Sequence, residues 1–353
     1  MANAKDLTFP PGAELVFGPQ AQRRGYVNEA IARVFAGWGF SEIILPTFDA
    51  RNSDDPDAYT MIDREGRNLA LRADFTEIAA KALAIELRRD ARTIRACYEG
   101  RVYRFQPSGH GARVEQSQRG LEWVNVRGAI YDAATILIAR ECLDALGLDK
   151  AVTVICHAAF VNAALGEKGR ADRALHEAID HKNPARILEL ARRRGFDAKS
   201  AELLAQLPRL CGGPEVLQQA GALAQNTEAR TALDELADIV KLLEAAGGLK
   251  RGVLIDLGEV RQFNYYSGMM FRIYNPEVGD DLGGGGRYDR LFDRYGMDVP
   301  AVGLGLDIAR VTEALPRKDM NGEQKPVVVT PRDGLAAALK ARALGKTVVL
   351  EGQ

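Results

Sequence analysis

No run of apolar residues in this 353-residue chain approaches the roughly 20 that a bilayer-spanning helix requires, and the opening MANAKDLTFPPG has no apolar signal core. A soluble cytoplasmic protein is expected. The four cysteines, Cys97, Cys142, Cys156 and Cys211, stand far apart, with no CxxC pair and no histidine at zinc-binding spacing. They read as buried thiols in a reducing compartment, not as a disulfide framework or a metal site. The four histidines, His110, His157, His176 and His181, form neither HExxH nor a Ser/His/Asp pattern. A net charge of -1 lacks the excess of Lys and Arg that a broad nucleic-acid footprint shows. GxxxxGK[ST] is absent, and GxGxxG occurs in no strand-to-helix setting, so the four consecutive glycines at 283–286 do not spell a phosphate cradle.

What is present centres on Arg101 to Val126, RVYRFQPSGHGARVEQSQRGLEWVNV, which reads as two strands joined by a turn. In the first, Arg101, Tyr103 and Phe105 alternate with Val102 and Arg104. Pro107, Ser108, Gly109 and Gly111 supply the turn, with His110 among them. On the return strand Gln118, Gly120, Glu122 and Val124 share a face, so a carboxamide and a carboxylate flank a residue without a side chain. The two long side chains are expected to lean together over Gly120 and hold a small molecule with donors at both ends. A solvent-facing hairpin fits the same pattern.

Around this hairpin the chain divides in order. A helix from Pro19 places Ile31, Val34, Phe35 and Trp38 on one side and ends near Gly39; FSEIILPTFD follows as a short strand ending at Pro46. Residues 52–66 read as loop. NLALRADFTEIAAKALAIEL gives a strand then a helix, with Thr76 placed to cap the helix and Glu77 near its start. A helix over 133–146 closes at Gly147, AVTVIC is a central strand, and a short helix runs through Leu165. Residues 168–247 read as helices without a strand, TEARTALDELADIVKLLEAAG being the clearest amphipathic segment. Strand character returns in GVLIDLGEVRQFNYYSGMMFRIY, which carries Tyr265 and Tyr266, either as core packing or as an aromatic wall with hydroxyls for a ligand. Four glycines are costly to order unless the backbone approaches something closely. A polar linker over 316–325 precedes a small β-α-β segment.

Several of these stretches resemble class II aminoacyl-tRNA synthetases, and histidyl-tRNA synthetases in particular. YRFQ, a Gly-rich turn and QxGxE are similar to motif 2; the helix, strand and Pro near the N-terminus resemble motif 1, which builds a dimer interface. LRADFT resembles LRPEGT, whose acid and threonine hold the amino group of histidine. VRQFNYY resembles VRGLDYY, matching at Arg261, Tyr265 and Tyr266; an arginine there can pair with a carboxylate through two parallel bonds. GGGRYD is similar to the segment that lines the amino-acid pocket. VPAVGLGLDIARV resembles motif 3, whose arginine, here Arg310, holds the γ-phosphate of ATP. The resemblance implies an α+β, class II aminoacyl-tRNA synthetase-like catalytic-domain fold: an antiparallel sheet with flanking helices and a helical insertion. Its parts would be residues 1–167, an insertion at 168–247, residues 248–315, and a linker with a C-terminal remnant at 316–353. It implies a histidine pocket of Asp74, Thr76, Gln118, Glu122, Arg261, Tyr265, Tyr266 and Tyr288, with Arg104 and Arg310 as a vestigial nucleotide site.

The departures decide what that pocket is expected to do. Asp74 replaces Glu and Phe75 replaces Gly; Gln106 stands where motif 2 has an acid that reads adenine, and Ala309 where an acid precedes the motif 3 arginine. GARVEQ replaces an arginine-rich return and would put Glu115 near the phosphates, where a carboxylate opposes adenylyl chemistry. Residues 316–353 leave no room for an anticodon-binding domain, on the order of 100 residues. The combination resembles the regulatory subunits of ATP phosphoribosyltransferase. That implies a non-catalytic subunit, with no catalytic residues, metal or cofactor, partnered with the short catalytic chain of the first step of histidine biosynthesis. Histidine would be its feedback ligand, and it would self-associate as a dimer. Two alternatives remain open: a truncated synthetase-like enzyme that adenylates an amino acid for a non-tRNA acceptor, and an assembly scaffold indifferent to histidine.

Overall fold

A computed structural model describes residues 9–50, 57–105, 113–224, 226–249, 252–259, 265–316, 326–330 and 332–351. The first helix, α1 (Pro19–Gly37), buries Val27, Ile31, Val34 and Phe35 along one side. It is turned out of the helix by Gly39 at φ +79°, a left-handed conformation that suits glycine. The following FSEIILPTFD is two strands, not one: β1 (Ser41–Glu42) and β2 (Phe48–Ala50) lie on either side of Pro46, which has no N–H to contribute to a ladder. The polar stretch expected as loop holds β3 (Thr60–Ile62), and β3 and β2 flank β4 (Asn68–Leu71) in a small antiparallel sheet. Its sequence, Thr-Met-Ile, is too short to stand out by periodicity.

Helix α2 (Phe75–Arg89) is capped by Asp74, whose carboxylate accepts from the Glu77 amide at 3.2 Å. The expected cap, Thr76, lies inside the first turn instead, which frees its hydroxyl for other partners. The hairpin strands are longer than the sequence suggested: β5 (Ile94–Tyr103) and β6 (Glu115–Val124) pair over ten residues each. After α3 (Ala129–Asp144) come β7 (Val152–His157), α4 (Ala158–Arg170), α5 (Arg173–Asp180), α6 (Pro184–Arg193) and α7 (Ala198–Gln206). This helical region is interrupted, against expectation, by β8 (Cys211–Gly212), before α8 (Glu215–Leu223) and α9 (Thr227–Ala245). β9 (Val253–Asp256), β10 (Met269–Tyr274), β11 (Asp281–Arg287) and β12 (Ala301–Asp307) complete the main sheet, and α10 (Ile308–Ala314) follows. A separate compact unit from Pro316 holds β13 (Val327–Val329), α11 (Gly334–Ala343) and β14 (Val348–Leu350), with its two strands parallel.

The nine strands of the main sheet run β1-β5-β6-β12-β11-β10-β7-β9-β8, antiparallel except for the β1/β5 and β7/β9 pairs. This is the α+β sheet architecture the motifs implied. Strand alternation sends Cys97, Leu121 and Trp123 to a large core shared with α1, α3 and the helical region. It sends Ala96, Tyr98, Val102 and Val124 to a second core built on α2. The second core stops short of the sheet's middle, where β11 has glycine at 283–286 and β12 at 303 and 305.

That bareness is a steric requirement. A Cβ on Gly283, Gly284 or Gly285 would lie 2.2, 2.3 or 2.1 Å from a neighbouring strand's carbonyl oxygen, and one on Gly303 would lie 1.9 Å from the Glu122 carboxylate. Gly305 has nothing within 4 Å. Gly303→Ala is therefore expected to destabilise the fold by about 1–3 kcal/mol through overpacking, whereas Gly305→Ala leaves stability unchanged within about 0.5 kcal/mol. Urea denaturation of the two variants beside the parent checks both.

Candidate functional site

The bare strands floor a cleft of about 320 Å³. Register explains its walls. Gly120 faces Tyr98 across β5/β6 and Gly305 across β12, while Gln118 sits opposite Gly100 and Asp307. Tyr98, Gln116 and Gln118 line one side; the N-terminus of α2 brings Asp74 and Thr76; and the segment before β10 brings Tyr265 and Tyr266. Tyr288, just past β11, and Arg310, in α10, also border it. Of the residues singled out in the sequence, Asp74, Thr76, Gln118, Tyr265, Tyr266, Tyr288, Arg104 and Arg310 thus meet at one cleft. Arg261 lies outside the described residues, as do Gln106 and His110.

Glu122 is placed differently from expectation. It does not lean over Gly120 toward Gln118: that space holds the Tyr98 phenol, and a Cβ on Gly120 would be 2.6 Å from the Tyr98 hydroxyl. Glu122 is 1% exposed, beneath the cleft. Tyr98 donates to its Oε1 at 3.1 Å, and Tyr288 donates to Oε2 in a short bond. Burial pushes its pKa up to about 8, opposed by the Tyr288 bond and reinforced by the nearby Asp74 charge. The same burial, with the Glu122 charge, holds the Tyr98 and Tyr288 phenols well above the usual range. Tyr98 also stacks on Phe75 at 4.3 Å.

Asp74 does more than cap α2. Its Oδ2 is 3.5 Å from Arg104 Nη2, and Arg104 Nε donates to the Ala73 carbonyl at 2.7 Å. Burial nonetheless raises the Asp74 pKa, the Arg104 charge only partly offsetting it. Tyr265 and Tyr266 lie ahead of β10 and not within a strand, which turns both rings toward the cleft instead of to opposite faces. Their centroids are 4.7 Å apart, and Tyr265 meets Tyr288 edge-on at 6.0 Å.

The other end of the cleft is dense with paired charge, with Arg272 Nη2 buried and left without a hydrogen-bond partner among the described residues. Arg310 contacts Asp280 at 2.6 Å, Asp281 at 3.4 Å and Asp307 at 3.6 Å. Arg272 contacts Glu259 at 3.1 Å and Asp281 at 3.3 Å. Burial raises the carboxyl pKa values of Glu259, Asp281 and Asp307, with the arginines acting against it. Glu115 is not part of this end: it pairs with Arg101 at 2.7 Å on the opposite face of the hairpin from Gln116 and Gln118. Placing it near the phosphates was wrong because residue 115 is odd and the cleft side of β6 is even. Sequence reasoning also missed Tyr98, Gln116, Glu259, Arg272, Asp280 and Asp281. Extending the hairpin's period-two pattern upstream to Ile94 would have put Tyr98 opposite Gly120; nothing local marks the others.

The buried carboxyl has a consequence for stability. A folded pKa of about 8, against 4.5 in model compounds, means the fold holds this proton more tightly than the unfolded chain. Its contribution is present below the unfolded value and is lost as pH rises through about 8. Glu122→Gln is expected to be close to the parent at low pH and to gain on it as pH rises toward 8. Denaturation midpoints of both proteins across that range test this; a constant difference contradicts the placement of the charge.

The histidyl-tRNA synthetase family model matches residues 12–311. The ATP phosphoribosyltransferase regulatory subunits of Moorella thermoacetica and Clostridium kluyveri are each 31% identical, over 100% and 98% of this chain and 94% and 92% of theirs. A solved ATP phosphoribosyltransferase regulatory subunit/histidyl-tRNA synthetase from Bacillus halodurans C is 27% identical, with a TM-score of 0.86 over 98% of this chain and 93% of that one. Histidyl-tRNA synthetase from Nostoc sp. PCC 7120 shares the fold at 16% identity, with a TM-score of 0.78 over 98% of this chain and 86% of that one. The class II synthetase fold and the full-length identity agree: the chain belongs to the histidyl-tRNA synthetase-like family of ATP phosphoribosyltransferase regulatory subunits.

Proposed function

We propose that this chain is the cytoplasmic, histidine-sensing partner of a short ATP phosphoribosyltransferase catalytic chain, and that the cleft holds free histidine. The observation that carries the reading is the contrast between the two ends of the cleft. At one end Thr76, Gln118 and the tyrosines border open space. At the other, Arg310 and Arg272 are already matched by Glu259, Asp280, Asp281 and Asp307. A triphosphate entering there would meet four carboxylates against two guanidinium groups, and cations, not carboxylates, stabilise adenylyl transfer.

Within the cleft, Asp74, Thr76 and Gln118 take the ligand's ammonium group. Tyr265 and Tyr266 wall the ring, with Tyr288 and the buried Glu122 at its far end. Arg261 is assigned the carboxylate, on the sequence match alone. Feedback then follows if histidine binds two states of the assembly unequally, because equal affinity would shift nothing. Self-association through the α1–β2 region completes the proposal, with Ile44, Phe48 and Phe17 supplying exposed apolar surface.

Calorimetric titration is expected to show histidine binding, weakened about 10–100-fold by Gln118→Ala, the range for a hydrogen bond to a charged group. The chain mixed with its catalytic partner is expected to support phosphoribosyl transfer that histidine inhibits. Histidine-dependent pyrophosphate exchange is expected to be absent. Substantial exchange would instead identify an adenylating enzyme, and activation without any heat of histidine binding would identify a scaffold.

A further inference from the structure

We propose that a second cavity, distinct from the cleft, binds the phosphate group of a small organic phosphate. The cavity is about 260 Å³. Among the described residues that line the two spaces, they share only Tyr265 and Tyr266.

Its charged groups come from three separate parts of the chain. Arg170 ends α4, Arg290 and Arg294 belong to the 3₁₀ turn Leu291–Tyr295 and the residue before it, and Glu228 lies in the first turn of α9. Three guanidinium groups thus stand against one carboxylate among the described lining residues. The walls that carry them are tied together. The Ser267 amide donates to the Arg287 carbonyl at 2.8 Å, and the Asp289 amide donates to the Ser267 hydroxyl at 2.8 Å, which pins the tyrosine segment to the arginine turn. On the other wall, Arg170 Nε donates to the Asn162 carbonyl at 3.3 Å, leaving its two terminal nitrogens for the cavity side.

These cations are held loosely. Arg170 reaches Glu228 at 3.6 Å with the side chains 48% and 55% exposed, and Arg294 reaches Glu77 at 2.9 Å with 60% and 42% exposed. Arg290 is exposed, and its guanidinium has no partner among the described residues. Exposed pairs of this kind contribute at most about 1 kcal/mol, so a stronger anion can take over their donors. The contrast with Arg272 is direct: its pairs with Glu259 and Asp281 are nearly buried.

The chemistry of the donors selects the anion. A guanidinium presents a planar fork that matches phosphate oxygens two at a time. A carboxylate offers two oxygens and a single charge, too few for three such forks, whereas a phosphate monoester offers three terminal oxygens and a charge of about -1.5 to -2. The Asn162 carboxamide and the tyrosine rings remain for the body of the ligand. A chain of net charge -1 lacks the cation excess that a nucleic-acid strand requires, which favours a small molecule.

Calorimetry in a buffer free of phosphate and sulfate tests this, with inorganic phosphate and glycerol 3-phosphate as probes. Each is expected to bind once per chain, to compete with the other, and to weaken as salt is added. Arg170→Gln and Arg290→Gln, exposed positions on separate elements, are each expected to weaken both probes about tenfold. Glu228→Gln is expected to act in the opposite direction, tightening them about two- to fivefold by removing the competing carboxylate. Saturating histidine is expected to leave the probes bound. Absence of binding by both probes, affinities unchanged in both arginine variants, weakening in Glu228→Gln, or displacement by histidine overturns the proposal. A trinucleotide that binds more tightly than glycerol 3-phosphate overturns the assignment to a small molecule. The site does not depend on histidine being the ligand of the cleft, so phosphate binding without histidine binding leaves it standing while the functional reading falls.

Discussion

The sheet can hold a polar cleft because its central strands place glycine at its floor. At Gly120, Gly283, Gly284, Gly285 and Gly303 a Cβ would lie within 2.6 Å of another atom. The close strands leave space above them that only neighbouring phenols and carboxyls enter. Glu122 depends on this directly. Removing a carboxyl from water is costly unless its lone pairs are met, and the Tyr98 and Tyr288 hydroxyls meet them from above while Gly303 leaves the room below. The same constraint fixes where the apolar packing stops: α2 and its partners cover the β5/β6 half of this face, and the glycine half stays open as the cleft.

From that floor the two ends of the cleft diverge in charge. The end beside α2 carries hydroxyls, a carboxamide and aromatic rings, with one ion pair between Asp74 and Arg104. The end beside α10 pairs two arginines with four carboxylates. Arg272 with Glu259 and Asp281 is largely buried, and breaking a buried pair strands a charge at a cost of several kcal/mol. A phosphate ligand would have to replace contacts that are already made there, whereas the Arg310–Asp280 pair is partly exposed. An amino acid displaces nothing comparable.

Much of this was legible in the residues. QxGxE, the tyrosine pair, the glycine run and the arginine of α10 lie far apart in sequence and meet at one cleft, because each motif marks a strand or strand end of the same sheet. Asp74 and Thr76 were both recognisable, but their roles at the helix start were exchanged: both side chains can cap, and only backbone position decides. Tyr98 was not legible because the strand was begun at Arg101, seven residues late, which hid its partner across Gly120. The placements of Glu115 and Glu122 failed for one reason. Parity says which face a strand residue takes, but not which residue of the next strand fills the space above it. The acids around Arg310 and Arg272 come from β9–β10, β10–β11 and β12 segments that no local pattern joins.

Diffraction from crystals grown with histidine tests the central claim most directly. The account predicts density for one histidine in the cleft, its ring walled by Tyr265 and Tyr266 and its ammonium beside Gln118 and Thr76, with the Arg310 ion pairs unbroken. An unoccupied cleft under saturating histidine, or histidine seated against Arg310 and Arg272, would contradict it.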